Sequence, residues 1–217
     1  MDRIALDIET VPTVDDPSFE NPAHWNPFGI VLSVEMPDST PSSSFLLRDS
    51  SNLEAEAEMH DRALDVIERE LVKTDDVILL TYNGSKYDLP VLRHRYDKLD
   101  RELGSSFGER FRTILRGCEH TDLLQVIIAL QGHRMPVDDA LAMCMVESDT
   151  PRWPDGRKVA GADMLEIGPR IMDGSITTDR LEAATRYAVS DVEPLFALHE
   201  KLSRRLEVTE GFVTDDG

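Results

Sequence analysis

Lysine is scarce in this chain of 217 residues: Lys73, Lys86, Lys98, Lys158 and Lys201 stand beside eighteen arginines, and 42 acids outweigh the 23 bases to give a net charge of −19. That balance excludes tight, nonspecific nucleic-acid binding driven by counterion release, while leaving room for a local basic groove. Cysteine is scarcer still. Cys118 and Cys144 have no metal-ligand spacing and make no disulfide framework, so they read as core thiols. No apolar run approaches the ~18 residues of a membrane span, and the first residues read as a charged strand rather than a secretory signal. A cytoplasmic protein is expected.

The acids that are present are spread over segments with clear apolar periodicity, which excludes a disordered acidic block as their explanation. Acid excess with little lysine resembles the proteomes of salt-loving microbes; in molar salt the Debye length falls to roughly 3 Å and distant repulsion is nearly erased. A hydrophobic content of 41% is ordinary for a globular protein and predicts one domain over 1–217. Its core should run from about residue 3 to 206, followed by a short acidic C-terminal tail.

The pattern alternates between strand and helix. Residues 3–8 read as a strand, and Gly29–Val34 with Ser44–Arg48 read as a hairpin around the turn-rich 36–41 segment. Leu53, Ala57, His60, Leu64, Ile67 and Leu71 lay one stripe on a helix capped near Ser51 or Asn52. Val77–Tyr82 is a continuous apolar run suited to a central strand, ended by the turn pair Asn83-Gly84 and followed by a helix over 89–103. Residues 104–117 carry no clear signal. A short strand running into a helix is expected over 120–130, a helix over 137–146, and an exposed loop around Trp153 over 147–161. A long helix is expected over 178–206, kinked at Pro194 or restarted there. Met135, Met143, Met145 and Met164 read as core fillers.

Three places break these patterns. Asp7 and Glu9 interrupt an otherwise buried strand, and side chains two apart share one face, so a cation is the natural compensation. Asp191 stands in the stripe Leu181, Ala184, Ala188, Leu195, Leu198, Leu202, where every other member is apolar, and Tyr187 lies one turn before it on nearly the same face. Asp88 opens a helix directly after the Asn83-Gly84 turn, at the carboxyl end of a strand, where ligand sites of such sheets collect.

Together, Leu6-Asp7-Ile8-Glu9-Thr10, Tyr82-Asn83-Gly84-x-x-Tyr87-Asp88, His120-x-Asp122-Leu123 and Tyr187-x-x-x-Asp191 resemble the DEDD exonuclease superfamily in its DEDDy branch. They look closest to ribonuclease H-like proteins related to the proofreading exonuclease domain of family B DNA polymerases. The resemblance implies a ribonuclease H-like α/β fold, with a mixed five-stranded sheet whose first three strands form an antiparallel meander. It also implies a metal-dependent 3′–5′ exonuclease that uses two divalent ions, Mg²⁺ or Mn²⁺, to release nucleoside 5′-monophosphates from single-stranded DNA or a frayed 3′ end. Asp7, Glu9, Asp88 and Asp191 would hold the ions and Tyr187 would orient the attacking water. Ile8, Thr10, Asn83 and Gly84 are candidate substrate contacts.

His120 and Asp122 read as supporting or capping groups. The basic run Arg93, Arg95, Lys98, Arg101, Arg110, Arg112 and Arg116, and the cations Arg152, Arg157 and Lys158 around Trp153, are either a strand-guiding surface or solvated ion-paired faces. An exoribonuclease of the same mechanism, and a noncatalytic nucleic-acid- or partner-binding module, remain the alternatives.

Overall fold

The computed structural model describes residues 1–74 and 76–213, the last seven of these by backbone alone, so the end of the expected acidic tail lies outside the described residues. Five strands and eight helices follow in the order β1 (Asp2–Pro12), β2 (Trp25–Glu35), β3 (Ser42–Leu47), α1 (Leu53–Lys73), β4 (Val77–Thr81), α2 (Asp88–Leu103), α3 (Phe107–Gly117), β5 (Glu119–Asp122), α4 (Leu123–Gln131), α5 (Val137–Met143), α6 (Gly161–Met172), α7 (Thr178–Val192) and α8 (Pro194–Val213). The sheet order is β3-β2-β1-β4-β5. β1, β2 and β3 pair antiparallel, whereas β4 joins β1, and β5 joins β4, in parallel. This is the mixed sheet with a leading meander that the ribonuclease H-like resemblance implied. Among the described residues no helix is long and apolar enough to cross a membrane.

Pleating of β1 sorts its residues. Ile4, Leu6 and Ile8 face the layer of α1, α2 and α3, while Ala5 belongs to the opposite layer built from α4, α5, α7 and α8. Asp7 and Glu9 continue the face of Ala5, toward α7, because side chains alternate along a strand. A register shift between Glu9 and Thr10 ends the regular ladder there.

Of the two readings at Pro194, the restart is the one formed: α7 stops at Val192 and α8 begins at Pro194, the first-turn position where a missing N–H costs nothing. Other expectations needed correction. Residues 107–117 do form a helix, because the Asp100 carboxylate on α2 accepts the Phe107 and Gly108 N–H groups at 2.8 and 2.9 Å; the cap comes from another helix and left no local sign. The helix expected over 137–146 ends at Met143, and Met145 is 82% exposed with φ +54°, so it fills no core.

Residues 147–160 form the expected loop, exposed along most of its length and pinned by a bridge between Arg152 and Lys158, but Trp153 at its centre is not exposed. Trp153 is only 2% exposed, its Nε1 donates to Asp163 Oδ2 at 2.8 Å, and Arg157 and Arg180 lie over its ring, so it offers no face to a base. Helix α6 was unforeseen, since Gly161, Gly168 and Pro169 all discourage one. Gly168 serves packing: a Cβ there would lie 2.6 Å from both Val11 Cγ1 and Phe28 Cδ1. Gly168→Ala is therefore expected to destabilise the protein by about 1–3 kcal/mol through overpacking, read as an earlier urea midpoint at unchanged slope.

Candidate metal centre

Three separate stretches of chain bring carboxylates to one point. Ligand oxygens of Asp7, Glu9 and Asp191 all lie within 4.8 Å of one another. Asp88, fully within the fold at the start of α2, faces Asp7, and its Oδ1 is buried without any hydrogen-bond partner. Tyr187 places its hydroxyl beside Asp191, and the helix α6 start makes room for it: a Cβ on Gly161 would sit 3.1 Å from that oxygen. The small Ala184 and Ala188, buried on the same stripe of α7, let the helix approach β1 and β2.

Electrostatics follow from this crowding. Burial first, then the charge of Asp88, holds the Asp7 carboxyl well above the ordinary carboxylate range. Glu9 is raised by burial and by Asp7, Asp191 and Asp88. Burial pushes Asp88 up to about 7, and burial with Asp7 pushes Asp191 to about 8. Tyr187 rises above its usual 10 through burial and Asp191, so it stays a phenol at neutral pH.

Lys158 pairs with Asp138 at 3.2 Å, and its charge lowers Asp191 less than burial and Asp7 raise it. Four carboxylates with an orphaned oxygen, and with no arginine or lysine ion-paired to any of them among the described residues, fit a hard divalent cation, because oxygen-only donor sets favour Mg²⁺, Mn²⁺ or Ca²⁺ over softer metals. Without a cation the arrangement is self-repelling. Metal-free Asp191→Asn is thus expected to be more stable than the metal-free parent by about 1–2 kcal/mol, roughly 2–8 °C in Tm, with the order reversed in millimolar Mn²⁺. Thermal melts in EDTA and in Mn²⁺ read this, and a lower Tm in EDTA would refute it.

The expected substrate contacts fare unevenly. Ile8 is 5% exposed and its side chain packs in the core on the face away from the acids, while its backbone N–H lies against Asp7. Gly84 is buried, and a Cβ there would lie 2.4 Å from Thr81, so packing requires glycine. Thr10 follows Glu9 on β1, and Asn83 lies in the turn before Asp88. Thr10 Oγ1 and the Tyr87 hydroxyl lie 2.6 Å apart, and Asn83, strained at φ +69°, accepts Arg134 Nη2 at 3.0 Å. Asp122 caps α4 and also accepts the Asn83 and Ser85 N–H groups at 2.8 and 3.0 Å, which fixes the turn before Asp88. His120 Nε2 lies 2.9 Å from Thr81 Oγ1.

Much of the basic run is consumed internally. Arg95 is buried against Glu56, Arg110 binds Asp61, Asp65 and Glu68, and Arg112 pairs with Glu109. Tyr87, part of the motif that carries the resemblance, also lines a neighbouring basin with Lys86 and Arg134, two residues that were not singled out. Their convergence is three-dimensional, and only the Tyr87-Asp88 adjacency could have signalled it.

No family model matches the sequence, and no curated protein matches it. Among solved structures the chain is similar to exonuclease I in complex with the inhibitor BCBP, at 16% identity and a TM-score of 0.47 over 94% of this chain and 41% of that one. It is similar to E. coli exonuclease I in complex with an oligonucleotide, at 15% and 0.44 over 94% and 40%. Exonuclease I from Methylocaldum szegediense shows 18% and 0.41 over 94% and 40%, so this chain spans about two fifths of the length of the structures it resembles.

Proposed function

We propose that this chain is a metal-dependent 3′–5′ exonuclease that removes nucleoside 5′-monophosphates from single-stranded DNA or frayed 3′ ends. The observation that carries the reading is the meeting of Asp7, Glu9, Asp88 and Asp191 from distant stretches of chain, buried and uncompensated. Such a cost in folding free energy is explained by a ligand that repays it. Two divalent ions, Mg²⁺ or Mn²⁺, would supply activation of water, neutralisation of phosphate charge and stabilisation of the leaving 3′ oxygen.

In this reading Asp7 would contribute to both ions, Glu9 and Asp191 would complete the site on the nucleophile side, and Asp88 would hold the second. Tyr187 donates its hydroxyl proton in a hydrogen bond that orients the attacking water or a phosphate oxygen; as a phenol it is no general base at neutral pH. Thr10 and Asn83 line the approach of the terminal nucleotide. The same reading takes residues 1–217 as one cytoplasmic domain, related to the proofreading exonuclease domain of family B polymerases, with an acidic surface suited to high salt.

The test is direct. Purified protein with Mn²⁺ and a 5′-labelled single strand should give a ladder shortening from the 3′ end and only 5′-monophosphate products. Matched DNA and RNA strands compared side by side separate the deoxyribonuclease from an exoribonuclease. Oligonucleotide binding without any ladder would instead establish a noncatalytic module.

A further inference from the structure

The connection between β1 and β2 is built to hold one aromatic ring outward. Asn21 caps a single 3₁₀ turn over Pro22–His24, His24 Nδ1 accepts the Ser18 N–H at 3.1 Å, and Trp25 Nε1 donates to the Ser18 carbonyl at 2.9 Å. Phe19, fixed by these bonds on either side, stacks on Trp25 with centroids 4.7 Å apart and meets the edge of Tyr87 at 5.4 Å. Its outer face is bare: at 68% exposure it is the one exposed aromatic among the described residues. A large apolar ring held rigidly in water by a dedicated set of bonds has no purpose in the core.

That ring borders an open basin of about 720 Å³, lined also by Glu20, Asn83, Lys86, Tyr87 and Arg134. In a chain of net charge −19, the Lys86 side chain has no ion-pair or hydrogen-bond partner among the described residues, and Arg134 spends one nitrogen on Asn83. Tyr87 separates the basin from Thr10 and, one residue back along β1, from Glu9. An apolar stacking face, the unpaired Lys86 side chain and the remaining nitrogens of Arg134 match a strand of unpaired nucleotides: flat bases with a phosphate at every step.

We propose that the basin is a stacking subsite for single-stranded nucleic acid, in which a base near the 3′ end lies on Phe19 while Lys86 and Arg134 hold its neighbouring phosphates. The choice of ligand rests on the nuclease reading, but the subsite is a separate claim about binding. A duplex, whose bases are already stacked on one another, gains nothing from Phe19, so the subsite selects unpaired ends.

The test measures binding, in EDTA so that nothing is cleaved. A single-stranded oligonucleotide carrying 2-aminopurine as its second nucleotide from the 3′ end is titrated with the full chain, read by anisotropy and by quenching of the modified base. Phe19→Ala is expected to weaken binding about tenfold and to remove the quenching, while Phe19→Trp retains both. Lys86→Gln should weaken binding to all sequences and lower the salt slope by about one. Unchanged affinity and quenching in Phe19→Ala, or no binding by the parent chain, overturns the subsite. A parent that binds in this way yet gives no ladder with Mn²⁺ would leave the subsite standing and remove the nuclease reading. A parent that ladders while Phe19→Ala binds identically would do the reverse.

Discussion

Asp7→Ala is expected to slow 3′-end degradation by about 10³-fold or more while leaving the fold intact. Asp7 is the acid that touches both halves of the site, clustering with Glu9 and Asp191 on one side and facing Asp88 on the other. Removing it takes a ligand from each proposed ion at once. The loss of several kcal/mol of transition-state charge stabilisation corresponds, at ~4 kcal/mol, to three orders of magnitude in rate. A smaller, uncharged residue on that face also relieves repulsion, so circular dichroism should show an unchanged fold and calorimetric titration should show lost Mn²⁺ binding. A variant that ladders at the parental rate would show that these acids do not carry the chemistry.

The second large effect concerns stability. Glu56 on α1 is completely buried and accepts Arg95 Nε and Nη2, both at 2.6 Å, with Arg48 Nη1 at 3.2 Å and His60 Nε2 at 3.6 Å. Burial alone would raise its carboxyl, but the nearby His60 and the hydrogen bonds and charge of Arg95 hold it down at about 2. Burial pushes His60 the other way, below its ordinary value, so the imidazole adds no charge at neutral pH. Glu56→Ala leaves two guanidinium groups buried with their anion gone, and is expected to cost about 3–5 kcal/mol, or roughly 10 °C in Tm.

The pH dependence has a definite sign. Because the folded value lies below the ordinary 4.5, the stabilisation is fully present above 4.5 and is lost as pH falls toward 2. Chemical denaturation at pH 7 and pH 3 should therefore show a smaller gap between parent and Glu56→Ala at the lower pH. A cost below about 1 kcal/mol at pH 7 would contradict this account.

What was legible in the sequence was what violated its own surroundings. Asp7 and Glu9 in an apolar strand, and Asp191 in an apolar helical stripe, are anomalies that local periodicity exposes, and they fell together in space. The individual strands and the 29–48 hairpin followed from the same periodicities, whereas the full meander and the parallel pairing were implied by the family resemblance. Helix α6 was hidden because Gly168 reads as a breaker, whereas its lack of a Cβ is demanded by Val11 and Phe28, residues far away in the chain. Trp153 read as exposed because its neighbours are polar; those same polar groups, Asp163, Arg157 and Arg180, are what cover it. Ile8 read as a contact by adjacency to the acids, and pleating turned it the other way. The Phe19 platform could not be seen at all, since residues 19, 86 and 134 meet only after the sheet has formed.

The scatter of the four acids along the chain has a consequence for synthesis. The ribosome makes Asp7, Glu9 and Asp88 early, but Asp191 belongs to the seventh helix, near the end of the 217-residue chain. Until that helix emerges and docks, the growing polypeptide holds an incomplete cage. On the proposed reading the site stays incomplete until that helix is made and docked, so its last-made acid sets when the site can act.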